Sequence, residues 1–179
     1  MPGSRRLSQR ISEGDGIAII VRVEDAAAAR EAEAQGAKAV AVKAPIEGIR
    51  QATTLPLLWT GRGAPTEVDA VRIRPEDDVD HLQIEVVVDV RDEEELELAL
   101  ERLDPEIFLL RAKKIDQDAD PLDAVLELLP DVPAGKLAIA EVDVENRNEV
   151  LALERAGIDA VLVRSRQVAD LVGHQPFEV

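Results

Sequence analysis

Eight short runs of β-branched and aliphatic residues recur along the 179-residue chain, and most are separated by segments rich in Ala, Leu and Glu. The runs fall at 17–23, 39–43, 57–60, 70–74, 85–90, 107–111, 137–141 and 160–164. Clear helical segments follow several of them, at 25–35, 93–103, 121–129 and 146–156. The first opens on Asp25 and stops at Gly36, the second carries Leu96, Leu100 and Leu103 at helical spacing, the third has Pro121 at its first turn, and the fourth stops at Gly157. Acidic or Asn caps, Pro at the first position and Gly past the end are helix boundaries with a mechanism. Strand–helix alternation of this kind implies βαβ units and parallel strands.

An internal repeat sharpens the expectation. Ala39-Val40-Ala41-Val42-Lys43, Ala70-Val71-Arg72-Ile73-Arg74 and Ala160-Val161-Leu162-Val163-Arg164 share one pattern, and Ala18-Ile19-Ile20-Val21-Arg22 follows it. Repeated units of this length build a closed barrel. The predicted fold is a compact α/β protein, a (β/α)8 TIM barrel over 1–179, with an N-terminal segment at 1–15 and a tail at 172–179. The connections at 61–67 and 75–83 are shorter than the ten or more residues a helical crossover takes, so the helices after strands three and four are expected to be shortened or missing. An open doubly wound sheet using only some of the runs is the alternative.

Composition narrows the classes of partner. Apolar residues make up 46% and the aromatics are few (Trp59, Phe108, Phe177), so the core is built of Val, Ile, Leu and Ala. The formal net charge is −16, which sets a repulsive field against nucleic acid and anionic membrane. Cysteine is absent, which removes disulfides, thiol chemistry and Cys-based metal sites. No apolar run has membrane-spanning length, and no apolar stretch directly follows the basic start, so a cytoplasmic protein without a signal peptide is expected.

The candidate site follows from strand parity. Side chains alternate faces along a strand. In strand one, Ile19, Val21 and Val23 share a uniformly apolar face that must meet helices, which leaves Arg22 and Glu24 for the axis. The same parity gathers Arg22, Lys43, Arg74, Arg91, Arg111, Lys113 and Arg164 at one end of the barrel as anion-binding candidates, with Asp89 and Glu141 as candidate acid–base groups. So many cations either interleave with Glu24, Asp89, Glu141 and Asp143 as an ion-pair network, or leave a positive pocket for a small phosphorylated or carboxylated molecule. Gly61-Arg62-Gly63 reads as a tight turn, and Asp77, Asp78 and Asp80 as a solvated loop. His81 and His174 are expected at the surface, and no metal site is expected. The thin covering over strands three to five makes a homodimer conceivable there.

Val87-Val88-Asp89-Val90-Arg91-Asp92-Glu93-Glu94-Glu95-Leu96 resembles strand five and the following helix of the indole-3-glycerol phosphate synthase family. Ala140-Glu141-Val142-Asp143-Val144 and Ala156-Gly157-Ile158-Asp159-Ala160-Val161-Leu162-Val163 resemble its seventh and eighth strands. Pro56-Leu57-Leu58 resembles the start of its third. The resemblance implies a TIM barrel and, if the chain is an enzyme, a carbon–carbon lyase acting on a phosphorylated substrate without a cofactor. It also implies that Glu141 is kept, that Asp89 is a shortened counterpart of a glutamate, and that Ser165 matches a phosphate-side serine. Most of the family's catalytic positions differ. The strand-one Glu-x-Lys stands as Arg22-Val23-Glu24, the strand-three lysine aligns with Thr60, the strand-six asparagine with Arg111 and the strand-eight glycine with Arg164. Arginine is a poor proton donor at neutral pH. Ring closure therefore lacks its general acid, and a divergent, inactive relative is expected. A non-catalytic barrel with internally paired charges, serving as scaffold or interaction module, and an active lyase of the synthase type are the other readings.

Overall fold

The computed structural model describes residues 5–14, 16–63, 67–80, 82–113, 120–164 and 168–172. Eight parallel strands close into one barrel in chain order: β1 Ala18–Arg22, β2 Ala39–Val42, β3 Leu57–Trp59, β4 Ala70–Ile73, β5 Glu85–Val90, β6 Ile107–Leu110, β7 Leu137–Glu141 and β8 Ala160–Val163. Closure is completed by β1 pairing β8, with Ala18 opposite Ala160 and Val21 opposite Val163. The open doubly wound alternative is thereby excluded.

The four predicted helices form as α2 (Ala26–Ala34), α4 (Glu93–Arg102), α5 (Pro121–Leu128) and α6 (Arg147–Ala156). Each is capped by a side chain, as the sequence indicated for Asp25. Asp25 accepts from the Ala28 amide, Asp92 from Glu95, Asp120 from Leu122 and Asn146 from Glu149. Three short helices were not legible in the pattern: α1 (Arg6–Ser12), α3 (Ile49–Ala52) and α7 (Val168–Val172). Between β3 and β5 there is no helix among the described residues. Trp59, Val71 and Ile73 point outward there and are still buried, because partly buried Val68, Val79, Leu82 and Ile84 of the connections pack on the outer core.

The interior is layered, as the register dictates. Alternate strands contribute four side chains to each level. Ala39, Ala70, Ile107 and Ala160 lie lowest, followed by Ile20, Leu58, Val87 and Ile139. Ala41, Leu109 and Leu162 share the next level with Arg72. Above them stand Arg22, Thr60, Asp89 and Glu141 from the odd strands. The even strands then close with Lys43, Arg74, Arg111 and Arg164. The barrel is thus apolar below and ionic above.

Helix α1 plugs the lower end. Leu7 and Ile11 join the interior cluster, and the Glu85 carboxylate accepts from the Leu7 amide at 2.8 Å and the Ser8 amide at 3.2 Å. Two aspartates that precede strands do matching work here. Asp69, just before β4, accepts from the Leu57 amide of β3 at 2.8 Å, and Asp159, just before β8, accepts from the Ala138 amide of β7 at 2.9 Å. Asp69 is balanced by Arg6 and Arg50, each at 3.0 Å. Burial raises the Asp159 carboxyl above the ordinary aspartate value, against the opposing pull of the Ala138 amide. The two aspartates are one device used twice, β3–β4 against β7–β8, and they mark an approximate two-fold relation between the barrel halves.

Candidate functional site at the barrel mouth

The strand-end charges converge as parity predicts, but they divide into two unequal poles. At the first, Asp89 of β5 is completely buried and sits between two guanidinium groups. Arg111 reaches it through Nε at 2.8 Å from Oδ1 and Nη2 at 2.7 Å from Oδ2, and Arg74 Nη1 lies 3.3 Å from Oδ2. Neither group points an N–H squarely at Oδ2. Glu95 reaches back from α4 and adds a second carboxylate, 2.5 Å from Arg74 and 2.9 Å from Arg91. Burial by itself would raise Glu95, but the hydrogen bonds from Arg91 and Arg74 outweigh it and hold the carboxyl below its ordinary value. Lys113 stands at the rim, 47% exposed, and pairs with Asp92. That pair lowers the Asp92 carboxyl, chiefly through the Lys113 hydrogen bond, and raises the Lys113 ammonium.

The opposite pole is built differently. Arg22 of β1 holds Glu141 of β7 through Nη2 at 2.5 Å, while its own Nε is buried with no acceptor. Lys43 and Arg164 end the strands on either side of β1, are exposed, and have no carboxylate partner among the described residues. The two-fold relation exposes the asymmetry. Val21-Arg22-Val23-Glu24-Asp25 of β1 corresponds to Val88-Asp89-Val90-Arg91-Asp92 of β5, both ending on the aspartate that caps the next helix. Where β5 places an acid between two bases, β1 places a third base.

Ion pairing is seen at the first pole, and Lys43 and Arg164 at the second have no carboxylate partner among the described residues. Asp89 and Glu141 interleave with the cations. Glu24 and Asp143 are exposed and form no ion pair among the described residues, which corrects the expected four-acid network. They stand one level above the ring, where solvent reaches them. Glu95 takes up part of their expected role, and its helical position hid it. Arg72 was also missed as a site residue. It lies two residues before Arg74 and so faces the axis by the same parity, inside the strand and not at its end. Its Nη2 donates to the Thr60 carbonyl at 2.8 Å, and its Nη1 is 4.0 Å from Glu141 Oε2. Burial, with further push from Arg111 and Arg22, lowers the Arg72 guanidinium against the pull of Asp89 and Glu141. Ser165, His81 and His174 lie outside the described residues.

Two cavities open on this ring. One of about 990 Å³ runs between the tops of β5 to β8 and is bounded by Arg111, Arg164, Glu141 and Asp143 together with α5. The other, about 500 Å³, lies at the top of β1 beside α2 and is bounded by Arg22, Lys43 and Arg164. For proton transfer, Glu141 is the reachable carboxylate, at 16% side-chain exposure against 1% for Asp89. Among the described residues no group of three His, Cys, Asp or Glu side chains is disposed to hold a metal ion, and no helix is long and apolar enough to cross a membrane.

No family model matches the chain. It is 30% identical over 102 residues to indole-3-glycerol phosphate synthase of Acidithiobacillus ferrooxidans, covering 54% of this chain and 38% of that protein. It is 30% identical over 82 residues to the synthase of Campylobacter fetus (46% of this chain, 31% of that protein) and 35% identical over 82 residues to that of Variovorax paradoxus (46% and 30%). The matched segment thus spans about a third of the length of these relatives. Among solved structures, N-acetylmannosamine-6-phosphate 2-epimerase from Clostridium perfringens superposes with a TM-score of 0.66 at 14% identity, covering 83% of this chain and 86% of that one, which is a likeness of fold. The chain is a closed eight-stranded TIM barrel whose sequence, over about half its length, is similar to that of indole-3-glycerol phosphate synthase.

Proposed function

We propose that the barrel mouth binds a small organic anion, phosphorylated or carboxylated, and that the chain does not catalyse the synthase reaction of its sequence relatives. The observation that carries this reading is the ring of Lys43, Arg74, Arg111 and Arg164, above Arg22 and Arg72, of which Lys43 and Arg164 have no carboxylate partner among the described residues. Both are exposed, so the attraction lies in the charge-assisted hydrogen bonds that an unpaired ammonium and guanidinium offer to a small anion, not in relief of a buried charge. Part of the ring is structural. Asp89 and Glu95 neutralise Arg74, Arg91 and Arg111, so these cations hold the mouth together and the ligand falls to the other pole.

The reading against synthase chemistry rests on Thr60 and Arg22. Thr60 stands level with Arg22, just below the ring, at the position of the family's strand-three lysine, and its hydroxyl donates to the Val42 carbonyl at 3.3 Å. Arg22 is committed to Glu141. Neither supplies a proton donor suited to neutral pH.

Isothermal titration with inorganic phosphate, sulfate and acetate tests the binding. Millimolar or tighter affinity for at least one, weakened tenfold or more in the Lys43→Met/Arg164→Met double variant, is expected. Absence of binding by all three at 10 mM or an unaffected double variant defeats the reading. Incubation with the phosphorylated anthranilate-derived substrate should yield no indole product.

A further inference from the structure

The cavity at the top of β1 has two chemically distinct parts. Its rim carries Arg22, Lys43 and Arg164 beside Glu24, Asp25 and Glu31, of which Asp25 caps α2 and Glu31 accepts from Gln35, and its wall includes Val23, Ala28 and Val168. Val23 and Val168 are buried at 4% and 1% exposure, and Ala28 is partly covered on the first turn of α2. The alanines of α2 leave the space that longer side chains would fill. A site for inorganic phosphate alone needs only the rim. An apolar wall continuous with it matches a ligand that carries carbon behind its charge.

The opposite pole indicates what the charge is. There the barrel has solved the same problem internally, by setting a carboxylate, Asp89, between the bases that end β4 and β6. Arg111 holds it with Nε donating to Oδ1 at 2.8 Å and Nη2 lying 2.7 Å from Oδ2. By the two-fold relation, Arg164 and Lys43 are the counterparts of Arg74 and Arg111. Arg22 stands where Asp89 would be and brings a buried Nε with no acceptor. The Arg22 position lacks the carboxylate that Asp89 supplies across the barrel, and the rim acids Glu24, Asp25 and Glu31 form no ion pair with Arg22, Lys43 or Arg164 among the described residues.

We infer that the β1–α2 cavity is a site for a small monocarboxylate with a compact apolar body, its carboxylate between Lys43, Arg22 and Arg164 and its hydrocarbon part against Val23, Ala28 and Val168. The inference rests on the mouth being an anion site and adds the place and the class of ligand. The carboxylate completes the charge pattern that Asp89 completes internally. The apolar body gains the burial that fixes its orientation.

Titration of the unaltered protein with inorganic phosphate, acetate, butyrate and benzoate separates the outcomes. Expected affinities rise from phosphate through acetate to butyrate or benzoate, with at least a tenfold gain from acetate to the better of the larger acids. The Ala28→Leu variant, which fills the wall, should erase that gain and leave acetate binding within threefold. Phosphate binding as tight as benzoate, or a benzoate preference untouched by Ala28→Leu, overturns the assignment while leaving the anion mouth standing. Failure of every anion to bind removes the mouth reading itself. A charge-mirror variant, Arg22→Asp with Glu141→Thr, supplies the missing carboxylate from the protein. It should abolish carboxylate binding, and retained binding in a folded double variant counts against the two-fold argument.

Discussion

Asp89 and Arg111 form the shortest route between a single side chain and the stability of the mouth. Asp89 is sealed from solvent and balances two guanidinium groups, so Asp89→Asn leaves Arg74 with only Glu95 and Glu76 and Arg111 with no ion-pair partner among the described residues. Removing one partner of a buried pair costs about 3–5 kcal/mol. We expect Asp89→Asn to lower unfolding stability in urea by that order. Arg111→Met should cost less than Asp89→Asn, because Asp89 keeps Arg74 at 3.3 Å. Equal effects of the two substitutions would show that the charges act independently. Arg72 stands apart from this pair. It shares a level with Ala41, Leu109 and Leu162 and has no carboxylate closer than 4.0 Å among the described residues. Its guanidinium is the ring's inward extension, not part of its staple.

At the level of elements, the junction of β2 and β3 decides where Lys43 stands. A Cβ at Gly61 would collide with the Lys43 carbonyl oxygen and crowd the Trp59 ring. The glycine lets the chain leaving β3 pass directly against the end of β2, a close approach that only a missing side chain allows. Residues 61–63 form a bend, and what requires glycine at 61 is the proximity of the β2 backbone. Gly61→Ala must push the two strand ends apart. Weaker phosphate or acetate binding, by threefold or more, together with a lower Tm is the expected result. A lowered Tm with unchanged affinity would detach Lys43 from the site. The same junction shows why β3 and β4 manage without helices: the strands are short, and extended connections carrying Val68, Val79 and Leu82 suffice to cover their outer face.

Across the whole molecule, charge is sorted by depth. The net charge is −16, with acids on the outer helices and connections, as on α4 with Glu93, Glu94, Glu97 and Glu101, while Arg22, Arg72, Arg74, Arg111 and Arg164 stand at the axis. The acidic shell repels itself and destabilises the compact state, and salt screens exposed charges more than buried ones. Raising NaCl from about 0.05 M to about 0.5 M, where the Debye length shrinks from roughly 14 Å to roughly 4 Å, should therefore increase Tm. A fall in Tm over that range would mean that surface ion pairs outweigh the self-repulsion. The same shell works against large polyanions, whose charge meets it before any part reaches the mouth. A small anion can enter where the axial cations dominate.

The number and order of the strands, their helix caps and the inward parity of Arg22, Asp89, Arg111 and Glu141 were written locally, because two-residue alternation and capping chemistry operate over a few neighbouring positions. The level at which each side chain stands was not, since it depends on the stagger accumulated around a closed sheet. That stagger put Lys43, Arg74, Arg111 and Arg164 in one ring, brought Glu95 across from α4, left Glu24 and Asp143 in solvent and set Arg22 opposite Asp89. Which cations are balanced and which are not is a matter of distances between residues far apart in the chain, and only closure of the barrel sets those distances.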